Sequence, residues 1–345
     1  MAATASIDGG TWVLENGVVA ATINPERGAD ILSFVWLATG EDVLWRNQRS
    51  AAAPPRRGDT DMEATSYFDN YPGGIQELFP NAGAPTTVHG APLPFHGEAL
   101  RRPWSTEVSE YDGGIELVCQ TVLTRYPFRM TKSFRLDDDS SVLRFSSTIQ
   151  NLSNLDLPVH WGLHPAFNTD GVAGGGTVYG PFARVTAHPE KFGEHQAHSP
   201  GSTVAAIDVA AGVGGIELSP GSGGTADLAY ATVDEGWFAI TSPSSELLAT
   251  MTWPSALFPE LWIWQECHAP GGYPWFGTEH IVAIEPHTTS PFEPLAEEIN
   301  RPEVMTIPGY GERHADFTLG VQPATGNQFP TSMGTDGLAV LSAVR

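Results

Sequence analysis

Phe128-Arg129-Met130-Thr131-Lys132-Ser133-Phe134-Arg135-Leu136 alternates apolar with polar side chains. A period of two sends alternate residues to opposite faces, which is the pattern of a strand buried on one side. The same reading extends outward in both directions. Ile115-Glu116-Leu117-Val118-Cys119-Gln120-Thr121-Val122-Leu123 precedes it. Asp137-Asp138-Asp139-Ser140 supplies a turn, and Val142-Leu143-Arg144-Phe145-Ser146-Ser147-Thr148-Ile149 continues. Together these segments predict a meander in an antiparallel sheet.

Further out the signals repeat. Residues 12–23 read as two strands around an Asn16-Gly17 turn, and residues 28–36 as a third. Strands are expected again near 228–231, 237–240, 247–253, 261–266 and 281–284. Gly (37) and Pro (28) are scattered throughout, as many short strands joined by turns require. The chain has no composition break and no solenoid repeat. The expected fold is therefore all-β, a large antiparallel sandwich with few short helices, spanning 1–345 as one domain. Residues 47–70 read as a long surface loop. Residues 73–83 read as too rich in Gly and Pro for regular structure, yet they hold Ile75, Leu78 and Phe79. Such a segment is either the wall of a site or a packed Ω-loop. Residues 169–180 and 211–227 read as Gly-rich connections, and the tail from about Tyr310 as a loosely packed arm.

Composition narrows the function. The net charge is −23, with 40 acidic against 17 basic residues, which argues against nucleic-acid and anionic-membrane partners. Lys132 and Lys191 are the only lysines, which leaves little room for Schiff-base or pyridoxal chemistry. Cys119 and Cys267 show neither a disulfide framework nor the spacing of a cysteine zinc site. No apolar run approaches the length of a membrane span, and residues 1–10 lack the basic start and apolar core of a secretory signal. A cytoplasmic protein, monomer or homodimer, without cofactor or metal, is expected.

The residues with chemical potential lie in three places. Ile281-Val282-Ala283-Ile284-Glu285-Pro286-His287 reads as an apolar strand interrupted by a carboxylate and expected to end or bulge at Pro286. Ile281, Ala283, Glu285 and His287 share a face. A carboxylate at the mouth of a buried strand either caps a loop or has partners and a task. His96 stands in Pro94-Phe95-His96-Gly97-Glu98, and His164 in Gly162-Leu163-His164-Pro165-Ala166-Phe167-Asn168. Each histidine is either a hydrogen-bonded structural residue or an acid/base. His160, His164, His280 and His287 can also be read as a metal cluster. However, residues 160 and 164 sit in a poor helix, and on a strand they are about 13 Å apart, too far to share one ion. Trp262 and Trp264 share a strand face with Glu266, and indole beside carboxylate suits a sugar's C–H faces and hydroxyls. A histidine pair with a carboxylate can open a hemiacetal, taking a proton from the anomeric hydroxyl and giving one to the ring oxygen.

The ordered set His96-Gly97 after the Asn81 loop, His164-Pro165-Ala166-Phe167-Asn168, and Ile284-Glu285-Pro286 resembles the aldose 1-epimerases, or galactose mutarotases. Order and broad spacing agree over residues 17–294. The resemblance implies a β-supersandwich with a carbohydrate in an open cleft. It implies Glu285 as the base at the anomeric hydroxyl, His164 as the acid at the ring oxygen, and His96 as a group that binds near that oxygen and shares the acid role. Glu77, Asn81, Arg101, Trp161, Trp264 and His287 are the expected substrate contacts. Two departures stand out. The arginine that often follows the loop asparagine is replaced by Ala82, with Arg101 and Arg102 as candidate substitutes, and no aspartate matches the family's sugar-binding one near residues 188–192. The first expectation is thus an aldose mutarotase. The alternatives are an inactive carbohydrate-binding or regulatory protein on the same fold, and a sugar lyase or glycosidase pairing Glu285 with Glu77, Glu98 or Glu266.

Overall fold

The computed structural model describes residues 1–345 except 52–61, 170–175, 183, 205–206, 211, 219–223, 242–245, 325–327 and 344–345. The predicted meander forms. Ser105–Tyr111, Gly114–Val122, Phe128–Asp137 and Val142–Asn151 lie side by side. Leu117 stands opposite Phe134, Phe134 opposite Phe145, and Phe145 opposite Phe317. These side chains are buried in one cluster, each stabilising the fold by about 2–3 kcal/mol through apolar burial.

The meander is one end of a 10-stranded antiparallel sheet that continues through Glu312–Pro323, Leu247–Thr252, Trp237–Thr241, Thr177–Gly180, Val213–Glu217 and Ile207–Ala210. A second sheet, of 12 strands, packs against it. Its middle runs Asp30–Trp36, Ile75–Leu78, Gly162–Asn168, His280–His287, Glu260–Cys267 and Thr225–Thr232. Ile23, Phe34, Ile263 and Ile284 of this sheet join the same core cluster as the meander. Its other face carries a separate apolar cluster that includes Tyr67, Tyr71, Phe95, Trp262 and Trp275. The 12-stranded sheet is therefore covered on both faces in its middle. Among the described residues helices are short, the longest being Ala64–Asn70. No helix among the described residues is long and apolar enough to cross a membrane.

Several expectations are corrected. The segment 47–70 is not all loop: Ala64–Asn70 is a helix with Ser66 and Tyr67 buried, while 52–61 lie outside the described residues. Ile75–Leu78 is a strand, because neighbours on both sides supply the hydrogen bonds that local composition does not favour. The supposed connections at 169–180 and 211–227 contain Thr177–Gly180, Val213–Glu217 and the start of Thr225–Thr232; their residues 170–175, 211 and 219–223 are outside the described set. The tail is not a loose arm. Glu312–Pro323 lies in the interior of the 10-stranded sheet, with alternate residues Ala315, Phe317, Leu319 and Val321 buried.

Pro286 does not end its strand either. His280–His287 runs through it, with Pro286 opposite Leu261. On the other side the ladder with Gly162–Asn168 pairs Gly162 with His287 and Ala166 with Ala283, and skips the residues between. Pro165 and Pro286, which have no N–H to donate, both fall in that gap.

Candidate active site

The gap lies beside His164 and Glu285. The register on either side of it sets those two residues opposite each other. Gln76 is opposite His164, Trp262 opposite Glu285, and Tyr230 opposite Trp262. Directly opposed residues share a face with Cβ atoms about 5 Å apart. Gln76, His164, Glu285, Trp262 and Tyr230 thus form one row across five strands, on the face away from the inter-sheet core.

Glu285 is 2% exposed. Its Oε1 is 3.6 Å from His164 Nε2, and its Oε2 is 3.3 Å from His287 Nε2. Burial holds the Glu285 carboxyl well above the usual carboxylate range. Burial also pushes His164 down to about 4, and drives His287 well below its ordinary value, helped by the neighbouring His96, His164 and His160. Both imidazoles are therefore neutral at pH 7, and they face Glu285 as N–H donors when it is ionised rather than as ion-pair partners. Donors to the charged form work against the burial that raises Glu285.

Hydrogen bonds select the tautomers. With Glu285 ionised, His287 donates to it from Nε2; the ring packs face to face on Trp262 at 3.7 Å and fits only because residue 162 is glycine, since a Cβ there would overlap it. Tyr71 Oη is 3.2 Å from His164 Nδ1, and burial keeps the Tyr71 hydroxyl protonated. With Glu285 ionised, Tyr71 donates to Nδ1 and His164 carries its proton on Nε2, toward the carboxylate. His96 has the other tautomer. Its Nδ1 donates to the Ala82 carbonyl at 2.6 Å, which leaves Nε2 as an acceptor. Burial, then the proximity of His164 and Arg101, hold His96 well below its ordinary value. His96 sits at φ 60°, and Gly97 behind it packs so closely on Phe79 that a Cβ would collide with the Phe79 carbonyl.

His96, His164 and Glu285 open onto one cavity of about 430 Å³. Trp262, Trp264, Trp275 and Phe292 line it, and none of its described lining residues is Lys or Arg. It thus offers indole faces, the His96 and His164 imidazoles and carboxyl groups, and, among its described lining, no Lys or Arg for an anionic group.

Of the expected substrate contacts, only Trp264 lines this cavity, its ring 5.7 Å from that of His164. His287 lies behind Glu285. Glu77 and Trp161 point to the opposite face of the sheet, because Glu77 is one residue along from Gln76 and the pleat reverses it. There Glu77 accepts from Trp161 Nε1 at 2.7 Å and pairs with Lys132 at 3.1 Å. Asn81 is a loop clamp: Nδ2 donates to the carbonyls of Gly83, Ala84 and Pro94, and Oδ1 accepts from Leu295 N. Arg101 is buried against Ser66 at 3.4 Å and does not reach the cavity, so it does not replace the missing loop arginine as a substrate contact. Of the histidines read as a possible metal cluster, His160 pairs with Glu298 at 2.8 Å, and His280 bonds Thr169. Sequence reasoning missed Tyr71. The signal for Tyr71 was its four-residue spacing from Tyr67, a helical repeat inside a segment read as loop.

No protein-family model and no curated protein matches the chain. Solved structures do. The Slr1438 protein of Synechocystis aligns with a TM-score of 0.65 at 17% identity, over 92% of this chain and 99% of its own. A galactose mutarotase-like protein from Clostridium acetobutylicum gives 0.64 at 14% identity, over 93% and 98%. One from Lactobacillus casei gives 0.61 at 20% identity, over 91% and 100%. The chain has the galactose mutarotase-like β-sandwich fold.

Proposed function

We propose that the chain is an aldose 1-epimerase, interconverting the α and β anomers of an aldose. The observation that carries this reading is the opposition of Glu285 and His164, 3.6 Å apart, on the wall of an indole-lined cavity. Glu285 takes the proton of the anomeric hydroxyl while His164 Nε2–H gives one to the ring oxygen and the Tyr71 hydroxyl proton moves onto Nδ1, so that the ring stays neutral. The bond from the anomeric carbon to the ring oxygen breaks and leaves an open-chain aldehyde. Rotation about the next carbon–carbon bond turns the carbonyl over. Closure onto its other face reverses the proton transfers, each of those at the sugar worth perhaps 10²–10⁴-fold. Nothing is consumed, and no metal or cofactor enters the step. His96, with Nε2 as acceptor, receives a sugar hydroxyl. The expected share of His96 in the acid role does not fit a neutral ring whose only proton is tied to Ala82.

The glycosidase alternative needs a second carboxylate about 5–10 Å from Glu285. Glu77 is on the far face of the sheet. Glu98 is occupied by the Thr124 and Arg125 backbone N–H groups and the Thr124 hydroxyl. Glu266 stands opposite Ile281, four residues along the strand from Glu285, or roughly 13 Å.

Anomer exchange by NMR saturation transfer, on a panel of aldoses with wild type and Glu285→Gln, tests the reading. Exchange above the spontaneous rate that the substitution abolishes supports it. Sugar binding without exchange turns the assignment to the inactive binding protein.

A further inference from the structure

The cavity does not end at the reacting groups. Trp262, Trp264 and Glu266 are successive residues on one face of Glu260–Cys267, and all three line it. The distance from the Glu285 end to the Glu266 end is roughly 13 Å along the strand, more than twice the width of a pyranose ring. A single ring with its anomeric carbon at Glu285 leaves the far half empty.

That far half has its own recognition chemistry. Trp264 and Trp275 form a corner, with ring centroids 6.0 Å apart and an interplanar angle of 41°. Glu266 is 5% exposed and lines the cavity, with Oε1 held by the Ala269 N–H at 3.0 Å. Ala226, opposite Glu266, presents only a methyl group to that end. The adjoining loop is tied down by Tyr273, whose hydroxyl bonds the Thr65 carbonyl and Asp69 on the Ala64–Asn70 helix. A buried carboxyl beside two indoles suits the hydroxyl edge and the C–H face of a sugar. The absence of Lys and Arg from the described lining disfavours a phosphate or other anion there.

We propose that Glu266, Trp264 and Trp275 form a second subsite for an uncharged sugar ring, so that the substrate is a reducing disaccharide rather than a free hexose. The inference rests on the epimerase reading for the position of the first ring. It leaves that ring's anomeric carbon free and seats its glycosidic substituent against Trp264.

The test compares anomer exchange on glucose with exchange on maltose, cellobiose and lactose, which share a reducing glucose and differ in linkage or second ring. At least one disaccharide should show a KM about tenfold below that of glucose, the size of one charge-assisted hydrogen bond. Glu266→Gln, and separately Ala226→Leu, which fills the far end, should bring the KM ratio back toward one. A ratio near one in wild type, or a ratio that both variants leave intact, overturns the subsite. If no sugar exchanges at all, the epimerase reading falls, and calorimetric titration with the same four sugars decides the subsite. Tighter binding of a disaccharide than of glucose, lost in Glu266→Gln, supports it; equal or undetectable binding overturns it.

Discussion

The hydroxyl of Tyr71 lies 3.2 Å from His164 Nδ1, and His164 Nε2 lies 3.6 Å from Glu285 Oε1. A residue that caps a short helix thereby sets which imidazole nitrogen carries the proton at the carboxylate. Tyr71→Phe should keep the fold and release this control. The His164 imidazole nitrogen shifts, read by NMR, should move from a dominant Nε2–H form to a mixture. The value of kcat should fall about tenfold with KM little changed. Unchanged tautomer populations would refute the role.

Glu285 is a buried acid whose ionised form costs stability. Its pKa is raised on folding, so its contribution to stability is present at acid pH and is lost as pH rises through the folded value. Glu285→Gln should therefore abolish anomer exchange while raising the Tm at pH 8 by a few degrees, a trade of stability for function. In wild type, exchange should increase with pH, on a limb displaced above that of an exposed carboxylate. Calorimetric melting and saturation transfer on the same samples check both.

His164 has the opposite sign. Its pKa falls from 6.5 to about 4, so the neutral folded form stabilises the protein above pH 6.5 and this stability is lost as pH drops toward 4. The stability of wild type relative to His164→Gln should decline across that window by on the order of 3 kcal/mol. Denaturant titrations at four pH values between 4 and 7.5 would show a flat difference if burial were not the cause.

Glu77 and Lys132 form an ion pair between the sheets, at 3.1 Å, with side chains 1% and 8% exposed. Lys132→Met leaves Glu77 as a buried charge without its cation, and should cost about 3–5 kcal/mol. Exchange per folded molecule should remain, because Glu77 faces away from the cavity. A selective loss of activity without loss of stability would return Glu77 to the substrate.

Gly162→Ala would drive a methyl into the His287 ring. A stability loss of about 1–3 kcal/mol is expected from overpacking, together with a lower kcat as the hydrogen bond to Glu285 Oε2 shifts. A crystal structure of the variant with His287 unmoved would contradict this.

The alternation in residues 115–149 was enough to establish the meander, because a period of two commits each residue to one of two faces before any partner is known. The same rule carried Glu285 and His287 to one face. His164, His96 and Glu285 were legible because a histidine or carboxylate inside an apolar frame is costly without partners or a task. What alternation cannot state is which face meets the other sheet and which meets the cavity. Gln76 and Glu77 are adjacent, and only the pairing of Ile75–Leu78 with Gly162–Asn168 turns Gln76 to the His164 side and Glu77 to Lys132. Asn81 looked like a ligand and proved to be a clamp, since its carbonyl partners come from residues 83, 84 and 94 folding back around it. Residues 75–78 and 312–323 became interior strands through neighbours distant in sequence, against a local composition that reads as loop or arm. Tyr71 reaches His164 by the same non-local route, through a short helix that the second apolar cluster stabilises and its own propensity does not. The sequence by itself determined the alternating strands and singled out the histidines and the carboxylate that meet at the cavity; the tertiary structure decided their facing, their protons and the remaining strands, because all three depend on strand order and burial.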